Sequence, residues 1–128
     1  MEPDFLRVEE VVQIHEDQVE RYGGSRDLRD AGLLSSAVEA PRATFGGQQL
    51  HGDLFEIAAA YAFHLVQNHP FVDGNKRTGA IAALLFLDLN GVEVVIGEDA
   101  LFEHILGIAQ GRIGKAEIAA FLRRHAVQ

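Results

Sequence analysis

The sequence contains no cysteine, no tryptophan and only three prolines in 128 residues. Without cysteine, neither a disulfide framework nor a thiolate metal site can form, and a reducing compartment is the natural location. The longest wholly apolar run, residues 80–87, is far shorter than the roughly 18 residues that indicate a membrane span. The acidic N-terminal stretch lacks the basic and apolar regions of a signal peptide. These absences predict a cytoplasmic protein.

Positive charge is also scarce, because 11 lysines and arginines stand against 19 aspartates and glutamates, giving a formal net charge of -8. Such a surface cannot supply the clustered cations that hold a nucleic-acid backbone. We therefore expect no direct nucleic-acid or membrane partner, and any bound phosphate must be held by local cations. The length and the 48% hydrophobic content predict a single globular domain over residues 1–128.

Apolar spacing predicts an all-α fold with a central, buried pair of helices. One helix of this pair starts at the cap Asp53 and runs to about Asn68, and the other runs from Lys76 to Asn90; both are apolar nearly all round. Further helices are predicted over residues 8–22, 33–38, 99–110 and 115–125. Residues 42–52 show no period, which predicts a loop with at most a short extended piece.

The connection between the two central helices reads "HPFVDGNKRTG", residues 69–79. Pro70 ends the first helix and so places His69 at the helix end, facing the loop. The Asp73-Gly74 pair is typical of a turn, after which the next helix begins at Asn75 or Lys76. The next two residues, Lys76 and Arg77, are cations at the positive end of a helix, which is unfavourable unless an anion is present. The motif therefore predicts an anion site.

Given an anion, the remaining residues have chemical roles. Asp73 could hold Mg²⁺, which prefers carboxylate and phosphate oxygens. His69 could act as a general base on an incoming hydroxyl near neutral pH. A base, a metal carboxylate, helix amides and cations together indicate phosphoryl or nucleotidyl transfer.

The stretch "HPFVDGNKRTG" resembles the signature of the Fic/Doc family, His-Pro-Phe-x-Asp/Glu-Gly-Asn-Gly/Lys-Arg, at every fixed position. The resemblance implies a Fic-like helical bundle in which His69 is the base, Asp73 the Mg²⁺ ligand and Gly74, Asn75 and Arg77 the phosphate ligands. The segment "DLRDAGLLSSAVEAPRATFGG" looks like the one that leads into the family's substrate-binding flap. That likeness implies a flap at Thr44, Phe45, Gly46 and Gly47, which could take the form of a short β-hairpin.

Two positions distinguish the branches of the family. Enzymes of the family that transfer AMP carry glycine where this chain has Lys76, and a second arginine where it has Ala80. A lysine side chain would fill or reshape the α-phosphate pocket, and loss of the arginine removes a planar phosphate clamp. Both differences resemble the death-on-curing (Doc) branch, in which the γ-phosphate of Mg·ATP is transferred. The resemblance favours a kinase, with an AMP transferase and a catalytically weak antitoxin-binding module as alternatives.

Resemblance to the Doc branch implies a toxin of a toxin-antitoxin system. The implied target is a Ser/Thr hydroxyl of a translation protein, elongation factor Tu in the first instance, and the implied inhibitor is a cognate Phd-like antitoxin. Many Fic proteins carry instead an inhibitory Ser/Thr-x-x-x-Glu-Gly/Asn helix. Ser35 and Glu39 fit that pattern but Ala40 does not, so inhibition by a separate partner is expected.

Each motif residue taken alone has a simpler interpretation. His69 could be a surface helix end, Asp73-Gly74 a plain turn, and Lys76-Arg77 a solvated pair. Their combination favours function. Two histidines outside the motif are interpreted structurally: His15 as a hydrogen-bonded core residue and His64 as a polar position on a buried helix, because a zinc site would need closer spacing and further ligands.

Overall fold

The computed structural model describes residues 2–45, 48–49 and 53–127. This part of the chain folds into six α-helices and one two-stranded ribbon, which confirms the predicted all-α class. The elements are α1 (Val8–Tyr22), α2 (Ala31–Glu39), a 3-10 turn (Ala40–Arg42), β1 (Thr44–Phe45), β2 (Gln48–Gln49), α3 (Leu54–Asn68), α4 (Asn75–Leu89), α5 (Glu98–Ala109) and α6 (Lys115–Arg124).

Helices α3 and α4 form the predicted central pair, and the other helices pack around them. Close contact between the two is possible because α4 carries Gly79 where it meets α3. A Cβ atom on Gly79 would lie 2.9 Å from Val66 Cγ2 and 3.2 Å from the Ala62 carbonyl oxygen. Small residues at such a crossing let two helix backbones approach until their side chains interlock.

Local signals in the sequence account for the helix boundaries. Asp30 caps α2 by accepting a hydrogen bond from the Leu33 amide, and Asp53 caps α3 in the same way through Glu56. Helix α1 ends at Gly23, whose φ of 84° is easily reached only by glycine. These bounds agree with the sequence prediction to within two residues at each end.

One residue departs from the apolar pattern of the sequence. Tyr22 continues the apolar stripe of α1, yet it is 54% exposed because the helix ends there and the ring lies beside the site described below. The stretch after Gly91, for which the sequence allows either a short strand or extended chain, is extended. Its one bridge joins Val94 to Ala126 near the C-terminus.

The ribbon of β1 and β2 lies in the predicted flap. Thr44 pairs with Gln49 and Phe45 with Gln48, which provides the short antiparallel hairpin that the sequence allowed. Gly46 and Gly47, the other two predicted flap residues, lie outside the described residues.

Among the described helices, none combines the length and apolar character needed to cross a bilayer.

A strap of four residues, Asp27 to Asp30, joins α1 to α2 and lies along the connection between α3 and α4. Leu28 pairs with Phe71 in an antiparallel bridge, and the Val72 amide donates to the Asp27 carbonyl. The strap therefore places the start of α2 directly against the motif loop.

Replacement of Gly79 by alanine tests the close contact of the central helices. In an exposed helix this change would stabilise the protein by about 1 kcal/mol. Here the new methyl group meets α3, including its backbone, and overpacking of this kind costs about 1–3 kcal/mol. We expect a net loss in the free energy of unfolding, measured by urea denaturation.

Gly97→Ala is the matched control, because a Cβ atom there would meet nothing within 4 Å and its φ of -60° suits alanine. Because Gly97 is the N-cap of α5 and alanine caps a helix less well than glycine, the free energy of unfolding of this variant should fall by at most about 1 kcal/mol. A stabilised Gly79→Ala variant would show that the contact between α3 and α4 is looser than described.

Candidate active site

His69 follows the last residue of α3 and adopts the left-handed conformation, with φ 51° and ψ 55°. It is the one non-glycine residue with positive φ in the described part of the chain. This conformation costs an L-amino acid roughly 1–2 kcal/mol. It reverses the chain at the helix end and leaves the imidazole exposed at the edge of a cleft.

The cleft has a volume of about 410 Å³ and collects the predicted catalytic, metal and phosphate residues in one place. Its lining consists of Val66, His69, Val72, Asp73, Gly74, Asn75, Lys76, Arg77 and Ala109. Residues from α3, the motif loop, α4 and the end of α5 thus surround a single concave site. A cleft with convergent polar groups is the usual form of a small-molecule site.

Helix α4 points its N-terminus into this cleft. Its N-cap is Gly74, with φ 81°, which has no side chain to bond the first-turn amides. The N–H groups of a first helical turn have no partner within the helix, and they carry a partial positive charge. The uncapped first turn of α4, at Asn75, Lys76 and Arg77, could therefore receive an anion in this cleft.

The side chain of Asn75 is used inside the loop. It is buried; its Oδ1 accepts a hydrogen bond from the Phe71 amide at 3.0 Å and its Nδ2 donates to the Phe71 carbonyl at 2.9 Å. This paired arrangement closes the loop back onto the first residue of α4. What Asn75 can offer a phosphate in this geometry is its backbone N–H.

His15 supports the loop from α1. It is 1% exposed, stacks on Phe71 at 3.7 Å between ring centroids, and its Nε2 lies 2.7 Å from the Asp73 carbonyl oxygen. A carbonyl can only accept, so Nε2 carries the proton and donates. The prediction that His15 is a hydrogen-bonded core residue is confirmed.

Asp73 is exposed, and one of its two carboxylate oxygens is anchored. Oδ2 accepts a hydrogen bond from the Ser25 amide at 2.8 Å, and Gly24 approaches so closely that a Cβ there would lie 3.2 Å from the Asp73 Cβ. The other oxygen accepts no hydrogen bond from the described residues. One oriented carboxylate beside an anion site fits Mg²⁺, which is commonly held by one or two carboxylates together with substrate phosphates.

No cluster of three His, Cys, Asp or Glu side chains suited to a metal occurs among the described residues. The expected ion would therefore be held by Asp73 together with its ligand, in the manner just described, rather than by a cage of protein groups. The zinc interpretation of His64 gains no further ligands from this part of the structure.

Arg77 is held between two aromatic rings. Its Cζ lies 3.8 Å from the centroid of the Tyr22 ring and 4.9 Å from that of Phe102. Its Nη1 is buried and has no hydrogen-bond partner in the described chain. Aromatic faces hold a guanidinium in place without using its hydrogen-bond donors. Lys76, by contrast, is exposed and extends from the cleft rim.

Sequence reasoning missed the residues that hold this site together. The strap arginine Arg29 donates from Nε to the His69 carbonyl at 2.6 Å and from Nη2 to the Asn68 carbonyl at 2.8 Å. Tyr22 and Phe102 were likewise not connected with Arg77. No sequence pattern distinguishes Arg29, because the carbonyls to which it donates lie about 40 residues away in the chain.

Comparison with known proteins gives consistent results. A sequence model of the Fic/DOC family matches residues 5–87, well over half of the chain. A protein named "Protein kinase doc" from Escherichia phage P1 is 35% identical over 116 residues, covering 91% of this chain and 90% of that protein. A "Toxin Doc" from Mycolicibacterium smegmatis is 45% identical over 78 residues, covering 61% of this chain and 60% of that protein.

The Asn75 contacts predict a pH-dependent effect of Asn75→Asp. One oxygen of the new carboxylate can still accept the hydrogen bond from the Phe71 amide. The other oxygen replaces the Nδ2 that donated to the Phe71 carbonyl, so two acceptors face each other. The folded state then favours the protonated carboxyl, which raises its pKa above the unfolded value. We expect a loss of about 1–3 kcal/mol at pH 8, and a smaller loss at pH 5 because protonation restores a donor.

Urea unfolding at both pH values, each referred to the parent protein, measures this effect. Lys76→Asp, one residue along and exposed, is the control for adding a carboxylate to the same helical turn. An equal loss for Asn75→Asp at the two pH values would contradict the described hydrogen bonds.

Proposed function

This chain belongs to the Fic/Doc family, and on that basis we propose that it is a Doc-type toxin that transfers the γ-phosphate of Mg·ATP to a protein hydroxyl. The observation that carries the proposal is the single cleft in which His69 meets Asp73, Lys76, Arg77 and the uncapped start of α4. The names of the two relatives, a protein kinase and a toxin, support the same conclusion.

The proposed chemistry assigns one step to each group. A ring nitrogen of His69 takes the proton of a serine or threonine hydroxyl, whose oxygen then bonds to the γ-phosphorus of ATP. The bond from that phosphorus to the bridging oxygen breaks, and ADP leaves. Mg²⁺, when bound at Asp73, would supply positive charge to the phosphate oxygens.

Helix amides and cations would stabilise the transferred charge. The first-turn N–H groups of α4 are directed at the cleft and need no rearrangement to receive phosphate oxygens. Arg77 lines the cleft and would add its positive charge from a position that the Tyr22 and Phe102 rings hold. Lys76 reaches from the rim as a mobile point charge.

Transfer of the γ-phosphate is favoured over AMP transfer by two positions in α4. Lys76 lies in the cleft lining where the AMP-transferring branch has glycine. Ala80 is 1% exposed and packs in the core, so the second arginine of that branch has no counterpart here. A pocket that contains a lysine side chain and lacks the second arginine is poorly suited to holding an α-phosphate against the backbone amides.

The target and partner follow from the family resemblance. We propose that the acceptor is a hydroxyl of a translation protein, elongation factor Tu being the first candidate, and that a Phd-like antitoxin silences the enzyme in the cytoplasm. The hairpin of β1 and β2 is proposed to grip the target, since a two-stranded ribbon can pair with an extended peptide through its main chain.

Transfer from ATP labelled at the γ- or the α-phosphate tests the proposal. The purified protein, Mg²⁺ and bacterial lysate should give γ label on one protein band. His69→Ala should lower the rate about 10²- to 10⁴-fold, as expected for loss of a general base. Lys76→Ala should lower it at least about tenfold, because a charge at the phosphate is lost.

Lys115→Ala provides the matched control, because Lys115 is the other lysine of the chain and lies away from the cleft, on α6. This variant should retain the parent rate. Label from the α position would identify an AMP transferase. No label from either position, together with no binding of Mg·ATP in calorimetry, would favour the antitoxin-binding module.

A further inference from the structure

The conformation of His69 poses a question that the motif itself does not answer. A left-handed backbone is unfavourable for a histidine, so other contacts must hold it. The direction of the imidazole depends on this backbone, because the Cα–Cβ bond moves with φ and ψ. Whatever fixes φ and ψ at His69 therefore fixes where its ring enters the cleft.

The guanidinium of Arg29 meets the two carbonyls that flank these torsions. Nη2 donates to the Asn68 carbonyl at 2.8 Å, and Nε donates to the His69 carbonyl at 2.6 Å. The first carbonyl belongs to the peptide plane before His69, and the second belongs to the plane after it. The only rotations between these planes are φ and ψ of His69, so a rigid fork that bonds both carbonyls restricts both angles.

Arg29 can act in this way because its own backbone is fixed. Its amide donates to the Pro70 carbonyl at 2.7 Å, and the amide of Asp30 donates to the same oxygen at 3.0 Å. Asp30 is in turn the cap of α2. The C-terminal end of α3 also carries a partial negative charge, which favours a cation at this point.

We propose that Arg29 is a positioning residue, which holds His69 in the left-handed conformation that presents its imidazole to the cleft. The expected effect on catalysis rests on the proposed function, whereas the expected effect on the backbone of His69 does not. Arg29 itself contacts backbone carbonyls and is not expected to touch ATP, so its loss should affect the chemical step rather than nucleotide binding.

Arg29→Lys and Arg29→Ala test the inference. A lysine keeps the charge but cannot form the fork, so both variants should lower kcat on the order of 10- to 100-fold. The KM for Mg·ATP should stay within about twofold, as expected for a residue acting in the transition state alone. Guanidinium ion at millimolar concentration should restore part of kcat in Arg29→Ala and none in His69→Ala.

Arg26→Ala is the matched control, because Arg26 lies beside the same strap, is exposed, and makes no side-chain hydrogen bond with the described residues. It should keep the parent kcat. Thermal unfolding of each variant separates a loss of fold from a loss of position, and Arg29→Lys remains informative if Arg29→Ala is unstable.

A structural readout keeps the inference separate from the proposed function. Three-bond HN–Hα couplings and cross-correlated relaxation in NMR report the sign of φ at His69, which should be positive in the parent and lose that preference in the Arg29 variants. Positive φ retained in both variants would overturn the inference. If the parent transfers no phosphate, the proposed function fails while this measurement still decides the role of Arg29.

Discussion

The structure depends most on how the backbone of the α3–α4 connection is bonded. A loop that must carry catalytic groups cannot leave its polar backbone atoms unpaired, because each would be costly once shielded from water. In this chain most of the hydrogen-bond partners come from other segments. The Pro70 carbonyl accepts from the strap, both polar groups of Phe71 meet Asn75, the Val72 amide donates to Asp27, and the Asp73 carbonyl accepts from His15. Except for Asn75, the residues that hold the loop therefore lie outside the motif.

These contacts bear on how an acidic protein could hold the proposed anion site. With a net charge of -8, the chain cannot attract phosphate by its overall field. It offers instead a helix start whose cap is glycine, so that no side chain competes for the amides. A Ser or Asp at Gly74 would cap α4 better but would need positive φ and would occupy the proposed anion site. The absence of a side-chain cap makes the start of α4 less stable than a capped one would be, and such local departures are typical of functional sites.

Much of the fold could be predicted from the sequence, because the signals are local. Caps at Asp30 and Asp53, the glycines after α1 and the apolar periodicity placed the helices, and the motif identified the residues that share the cleft. The supports of the site could not be predicted in the same way. Arg29 meets carbonyls about 40 residues away, and Arg77 lies between rings from α1 and α5. Neither the left-handed turn at His69 nor the inward amide of Asn75 has a distinct sequence signal, since each results from tertiary contacts.

The hydrogen bonds around the motif loop indicate that it is assembled before its ligand arrives. Amide hydrogen exchange and chemical-shift mapping by NMR, with and without ATP and Mg²⁺, test it most directly. We expect the amides of Arg29, Phe71 and Val72 to exchange slowly in both states, while ATP shifts the signals of residues 74–77 and the His69 ring. Protection of those three amides that appears only with ATP, or shifts centred on another part of the surface, would contradict a preformed site.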